Sequence, residues 1–226
     1  MTSPVFPAAA PVLAAIQGIS ETFPVHRIYC VGRNYAAHRR EMGGDDREPP
    51  FFFTKPADAL VADGSAIPYP AATTMLHHEV ELVVAIGTGG RDIPVDEALS
   101  HLFGYAVGVD LTRRDLQNAA KQKGHPWDSG KAFDQSAPLG PITPCANQSW
   151  SGAIRLTVNG VEKQSATLDD MIWNVAEVIS ECSRLWCLQP GDLVYTGTPE
   201  GVGPLVRGDE VRASIDGLED LIFTIS

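Results

Sequence analysis

The stretch HHEVELVVAIG at residues 77–87 limits the fold more than any other part of the chain. As a strand, with side chains alternating between faces, it places Val80, Leu82, Val84 and Ile86 on one side and His77, Glu79, Glu81, Val83 and Ala85 on the other. Its body is apolar on both sides, which suits a strand buried in the middle of a covered sheet. Its head carries two carboxylates only two residues apart on the same side. Charges are rarely buried unpaired. Either the strand begins at a solvent edge and both glutamates are wet, or a cation lies between them.

Further strands are expected at VHRIYCVG (25–32), PFFFTK (50–55), GYAVGVD (104–110), IRLTVNGVEKQ (154–164), DLVYTGTP, DEVRASI and LIFTIS. Asn159-Gly160 lies between alternating segments and signals a hairpin. RNYAAHRREMGG (33–44) reads as a short helix stopped by two glycines, and LDDMIWNVAEVISECSRLWCL (168–188) reads as the best helix. Helices and strands do not alternate regularly and no repeat is visible. The pattern predicts an α+β, β-rich fold of sandwich or roll type with a few short helices. At 226 residues the chain suits one domain over 25–226, preceded by an extended arm over 1–24 that prolines at 4, 7 and 11 interrupt.

With 17 Lys plus Arg against 28 Asp plus Glu, the formal charge is −11, which opposes nucleic acid and anionic membranes as partners. No run of about 18 apolar residues is present to span a membrane. Cys30, Cys145, Cys182 and Cys187 form no C-x-x-C pair, so reduced thiols in a cytoplasm are expected. Two nucleotide-loop motifs fail. GTGGRDIP lacks the third glycine and has Pro94 where a helix should begin. GHPWDSGK has five residues between its glycines, and Ala132 stands where a magnesium-binding hydroxyl belongs, so Lys131 needs another role.

Two carboxylates on one strand face can reach a single ion, and oxygen-only ligands select magnesium, manganese or calcium over zinc. Asp110 offers a third oxygen, at the end of a strand whose same-face residues, Gly104, Ala106 and Gly108, leave room for a ligand or another backbone. Asp110 can equally be the N-cap of the helix LTRRDLQNAAKQK. His38 and Glu41, three apart on a helix, could form an imidazole–carboxylate base or an exposed charged face.

The stretches CVGRNYAAHRREMG, FFFTKPADALV, HHEVEL, GYAVGVDLTRRDLQ, KGHPWDSGKAFDQ and GDLVYTGTPEGVGPL, in this order from about Arg27 onward, resemble the fumarylacetoacetate hydrolase superfamily in its short form. Within it, PPFFFTKPADALV beside YCVGRNYAAHRREMG is most similar to bacterial members that cleave fumarylpyruvate in the gentisate route of aromatic catabolism, with acylpyruvases close by. The resemblance implies a hydrolase acting on the carbon–carbon bond of a small anionic 2,4-dioxo acid. It implies Glu79, Glu81 and Asp110 as ligands of Mg2+ or Mn2+, with Ca2+ as another occupant, and His38 with Glu41 as the water-activating pair. Lys131 then faces the substrate oxygens, Arg33, Arg114, Gln117 and Thr198 bind substrate, and the protein is a homodimer. The large two-domain members add a metal ligand from an N-terminal domain, so a water or substrate oxygen is expected in its place. Two other functions share the residues: decarboxylation or tautomerisation of an oxo diacid such as oxaloacetate, and metal binding without catalysis.

Overall fold

The computed structural model describes residues 4–35, 48–145 and 147–226. At its centre the strand Val80–Ile86 is buried along its whole length, as its two apolar sides require. It pairs antiparallel with Leu102–Val109 on one side and with Leu193–Tyr195 on the other. The sheet extends from Leu193–Tyr195 to the parallel strand Ile28–Gly32 and on to Phe51–Lys55. Beyond Leu102–Val109 lie Ala137–Leu139 and, parallel to it, Leu60–Ala62.

A second sheet, in the order Val161–Thr167, Ala153–Val158, Glu210–Ile215, Leu221–Ile225, Ala66–Ile67, covers one face of the first. Leu82, Val84 and Val107 pack there with Leu156, Val211 and Phe223. The expected hairpin forms at Asn159-Gly160, where both residues have positive φ (51° and 75°), the conformation a tight two-residue connection needs. The opposite face of the central sheet holds Val83, Ala85, Ala106 and Tyr195. Ala14, Phe23 and Val25 of the antiparallel pair Val12–Ala15 and Thr22–Val25 pack against it. The β-rich α+β architecture is therefore as the sequence pattern predicts. No helix among the described residues is long and apolar enough to cross a membrane.

Two local expectations are corrected. The helix expected over 168–188 is confined to Val175–Leu185, preceded by a one-turn 3-10 helix at Leu168–Asp170. Two successive capping boxes divide the segment: Thr167 with Asp170, then Asn174 with Glu177. The helix after Asp110 runs from Arg114 to Lys123 with Arg113 at its cap position, so Asp110 does not cap it. The backbone N–H of Asp110 instead donates to the carbonyl of Glu79 at 2.8 Å, which brings the two acidic residues side by side.

Candidate metal centre and active site

Glu79 sits between the short strand Leu76–His78 and Val80–Ile86, and Asp110 sits between Leu102–Val109 and Thr112–Arg113. Both lie where the central sheet gives way to a small three-stranded one. Glu81 projects opposite Gly108. The face expected to be bare beside it is filled: a Cβ on Gly108 would lie 2.4 Å from Val83 Cγ2 and 2.8 Å from Tyr195 Cε1, and one on Gly104 would lie 2.2 Å from the Thr143 carbonyl oxygen. Another backbone does approach at Gly104, as expected, but a tyrosine ring occupies the space at Gly108. One carboxylate oxygen from each of Glu79, Glu81 and Asp110 lies within 4.8 Å of the others, and all three residues are buried.

Cations surround this cluster unevenly. Lys131 Nζ donates to Glu79 Oε2 at 2.8 Å, to Asp110 Oδ2, and to Thr112 Oγ1 at 2.7 Å. Arg114 donates to Glu79 Oε1 and to Gln117 Oε1. Lys55, fully buried, places its ammonium 2.8 Å from Asp110 Oδ1, outside hydrogen-bonding angles, so that oxygen has a charge beside it but no directed donor. Among the described residues Glu81 accepts only from the Gly197 N–H, at 2.7 Å, and no cation pairs with it.

The titration of the two glutamates diverges accordingly. Burial, and then the charges of Asp110 and Glu79, push the Glu81 carboxyl well above the usual carboxylate range. Burial acts the same way on Glu79, but Lys131 and Arg114 outweigh it and hold that carboxyl well below the usual range. Burial opposes the Lys131 charge, yet Asp110 and Glu79 more than offset it and raise its pKa. A buried carboxylate without a cation and an aspartate oxygen without a directed donor, in an all-oxygen set, fit a hard divalent ion.

Lys131 reaches the cluster through local chain geometry. Gly124, at φ 64°, ends the Arg114–Lys123 helix in the left-handed conformation, and the chain returns through the short helix Asp128–Lys131. Gly130 presses on the first helix so closely that a Cβ there would lie 2.9 Å from the Gln117 nitrogen.

Arg33, Arg114, Gln117, Lys131 and Thr198 line the same small pocket as Glu79 and Glu81. His38 and Glu41 lie outside the described residues. Three residues that sequence reasoning passed over also take part. Lys55 closes the strand expected at PFFFTK, and Thr112 bridges Lys131 and Glu79. Gln164, from the second sheet, donates to Thr198 Oγ1 at 2.8 Å while its own oxygen lies 2.9 Å from His78 Nδ1, which fixes the threonine from behind. Lys55 had a signal in the alternation of Phe51, Phe53 and Lys55 on one face. Gln164 had none.

Gly197 is expected to tolerate no side chain. Its φ is 99°, and a Cβ would lie 2.8 Å from Asn34 Cβ. Gly197→Ala should cost about 1–3 kcal/mol in urea denaturation and weaken Mn2+ binding by displacing the donor to Glu81. An unchanged midpoint and affinity would show that this backbone does not hold the carboxylate.

A buried trio of carboxylates at a sheet junction, offset by lysines reaching in from the sheet edge and from a helical turn, defines a protein made to hold a hard cation. The sequence pattern of the fumarylacetoacetate (FAA) hydrolase C-terminal family matches residues 27–226. A fumarylpyruvate hydrolase of a Ralstonia species is 45% identical over 179 residues, 79% of this chain and 93% of the relative. An oxaloacetate tautomerase of Escherichia coli is 41% identical over 204 residues, 89% of this chain and 93% of the relative. The crystal structure of fumarylpyruvate hydrolase from Pseudomonas aeruginosa, in complex with Mn2+ and pyruvate, superposes with a TM-score of 0.95 at 53% identity, covering 99% of both chains. The chain belongs to the fumarylacetoacetate hydrolase family.

Proposed function

We propose that the protein is a metal-dependent hydrolase that cleaves the carbon–carbon bond of a 2,4-dioxo acid, with fumarylpyruvate giving fumarate and pyruvate. The observation that carries this reading is the buried Glu79, Glu81 and Asp110 cluster with Lys131 inside it. The similarity to hydrolases of fumarylpyruvate supports the choice of substrate. Three carboxylates face three cations, Lys55, Lys131 and Arg114. With a divalent ion bound, the centre therefore has a local excess of positive charge within a chain of formal charge −11, which suits a small dianion.

Glu79, Glu81 and Asp110 would hold the ion. When bound, it supplies a chelation point for the carboxylate and 2-oxo oxygens and positive charge near the developing enolate. His38, oriented by Glu41, takes a proton from water, which attacks the carbonyl carbon farther from the carboxylate. The bond to the neighbouring methylene breaks and its electron pair leaves as the enolate of pyruvate. Lys131 donates toward the oxygens on which this charge gathers, and protonation of the methylene carbon completes pyruvate. Arg114, Gln117 and Arg33 orient the substrate, and Thr198, held by Gln164, hydrogen-bonds to it. On this reading 25–226 is the catalytic unit, Mg2+ can serve in place of Mn2+, and the enzyme acts in gentisate catabolism as a cytoplasmic homodimer.

The test is a substrate panel of fumarylpyruvate, acetylpyruvate and oxaloacetate, run with Mn2+ and again after chelation. Metal-dependent release of pyruvate from fumarylpyruvate, lost in His38→Ala, is expected. If only oxaloacetate reacts, and His38→Ala leaves that rate intact, the protein is a decarboxylase, or a tautomerase like its 41% identical relative, and the hydrolase reading fails.

A further inference from the structure

Two cations in the same small pocket have no part in the carboxylate cluster: Arg33 and Lys121. Among the described residues, no carboxylate forms an ion pair with either. Glu79 acts on Lys121 only through space, because its oxygens are taken by Arg114 and Lys131. Aromatic rings hold the two cations instead. Lys121 Nζ lies 5.9 Å from the centroid of the Trp127 ring, and Arg33 Cζ lies 5.9 Å from that of Phe51. The two rings meet edge to face, with centroids 5.1 Å apart and planes at 88°. Each cation thus lies over one ring of a single aromatic pair.

The backbone is committed to this arrangement. Arg33 has a φ of 59°, a left-handed conformation uncommon for any residue but glycine. Gly32 gives the Phe51 ring its space, since a Cβ there would lie 2.0 Å from Phe51 Cζ. Burial, and then the charges of Arg33 and Arg114, push the Lys121 ammonium below the usual lysine range. Two like charges that no carboxylate among the described residues pairs with are stabilised when an anion joins them.

A cavity of about 570 Å3 adjoins the small pocket and shares Arg33, Phe53, Trp127 and Lys131 with it. Half of its described lining residues carry flat rings, Phe51, Phe52, Phe53, Trp127 and Trp186, and such walls suit a planar unsaturated chain. Asp128 is the single carboxylate among its described lining residues, and it does not line the small pocket.

We propose that Arg33 and Lys121 form a second anion subsite, which receives the carboxylate at the far end of the acyl arm and makes the enzyme selective for 2,4-dioxo acids that carry one. The metal end of the substrate fixes one carboxylate, the aromatic walls take the conjugated arm, and the paired cations read its terminus. This inference rests on the hydrolase reading for the identity of the arm.

The test uses the full chain loaded with Mn2+. Fumarylpyruvate and acetylpyruvate, in which a methyl group replaces the unsaturated arm together with its far carboxylate, are compared in the wild type, Lys121→Met and Lys121→Arg. Methionine keeps an unbranched stem beside Trp127 and removes the charge. The kcat/KM ratio of fumarylpyruvate over acetylpyruvate should fall about tenfold or more in Lys121→Met, through KM, and largely return in Lys121→Arg. An unaltered ratio, or a parallel loss on both substrates, overturns the proposal. A second measurement needs no turnover: calorimetric titration of the Mn2+- and pyruvate-loaded protein with fumarate and with crotonate, which has a methyl group in place of one carboxylate. Fumarate should bind about tenfold or more tightly than crotonate, and Lys121→Met should erase the difference. Equal binding by the wild type overturns the subsite. A wild type that prefers fumarate but cleaves neither oxo acid supports the subsite and defeats the hydrolase reading.

Discussion

Asp110→Asn is expected to lower the free energy of unfolding by about 3–5 kcal/mol, because it removes the counter-charge of two buried lysines at once. Asp110 and Lys55 are both fully buried, and the side chain of Lys131 is only 2% exposed. Lys131 keeps Glu79 and Thr112 as partners. Lys55 keeps only the carbonyls of Leu111 and Lys131, so most of the loss falls on that ammonium. Urea denaturation of Asp110→Asn, Lys55→Met and the double variant checks this. The two effects should fail to add, since removing the aspartate costs little once the lysine is gone. The upward shift of the melting temperature by Mn2+ should disappear with the ligand. Additive losses, or a wild-type midpoint in Asp110→Asn, would refute the buried pairing.

Lys131→Met should lower kcat on fumarylpyruvate by about 100- to 1,000-fold, the usual cost of removing one preorganised donor from a site of this kind. The fold should survive the change better than it survives Asp110→Asn. Glu79 retains Arg114, and Asp110 retains Lys55. The change should therefore appear in kcat while the protein still binds Mn2+, measured by single-turnover kinetics beside a metal titration. A variant with wild-type kcat would remove Lys131 from the chemistry.

The sequence made some of this legible and hid the rest for definite reasons. Glu79 and Glu81 stood out because a strand of period two exposes any charge on an otherwise apolar face. The hairpin at Asn159-Gly160 was equally plain, since few residue pairs accept two positive φ angles. Lys55 escaped notice because its partner lies 55 residues away, and the alternation of Phe51, Phe53 and Lys55 marks a shared face without marking an ion pair. Asp110 read as a third oxygen ligand and equally as a helix cap, because aspartate is a favoured cap before a helical pattern. Its carboxylate was claimed by two lysines, and the helix began four residues later. The division of 168–188 could have been read: TLDD and NVAE are both capping patterns, and strong apolar periodicity masked them.

The seven-residue strand Val80–Ile86 has a consequence for the chain before it folds. One of its two strand partners, Leu193–Tyr195, lies more than 100 residues away, so that edge stays open until non-local pairing is complete. A segment such as Leu82–Ile86, apolar and rich in branched residues, is the kind that stacks between newly made chains. Glu79 and Glu81 stand at its entrance, where copies aligned in register would bring like charges together. The glutamates of the carboxylate cluster thus also set like charges beside the apolar run, the placement that disfavours in-register stacking.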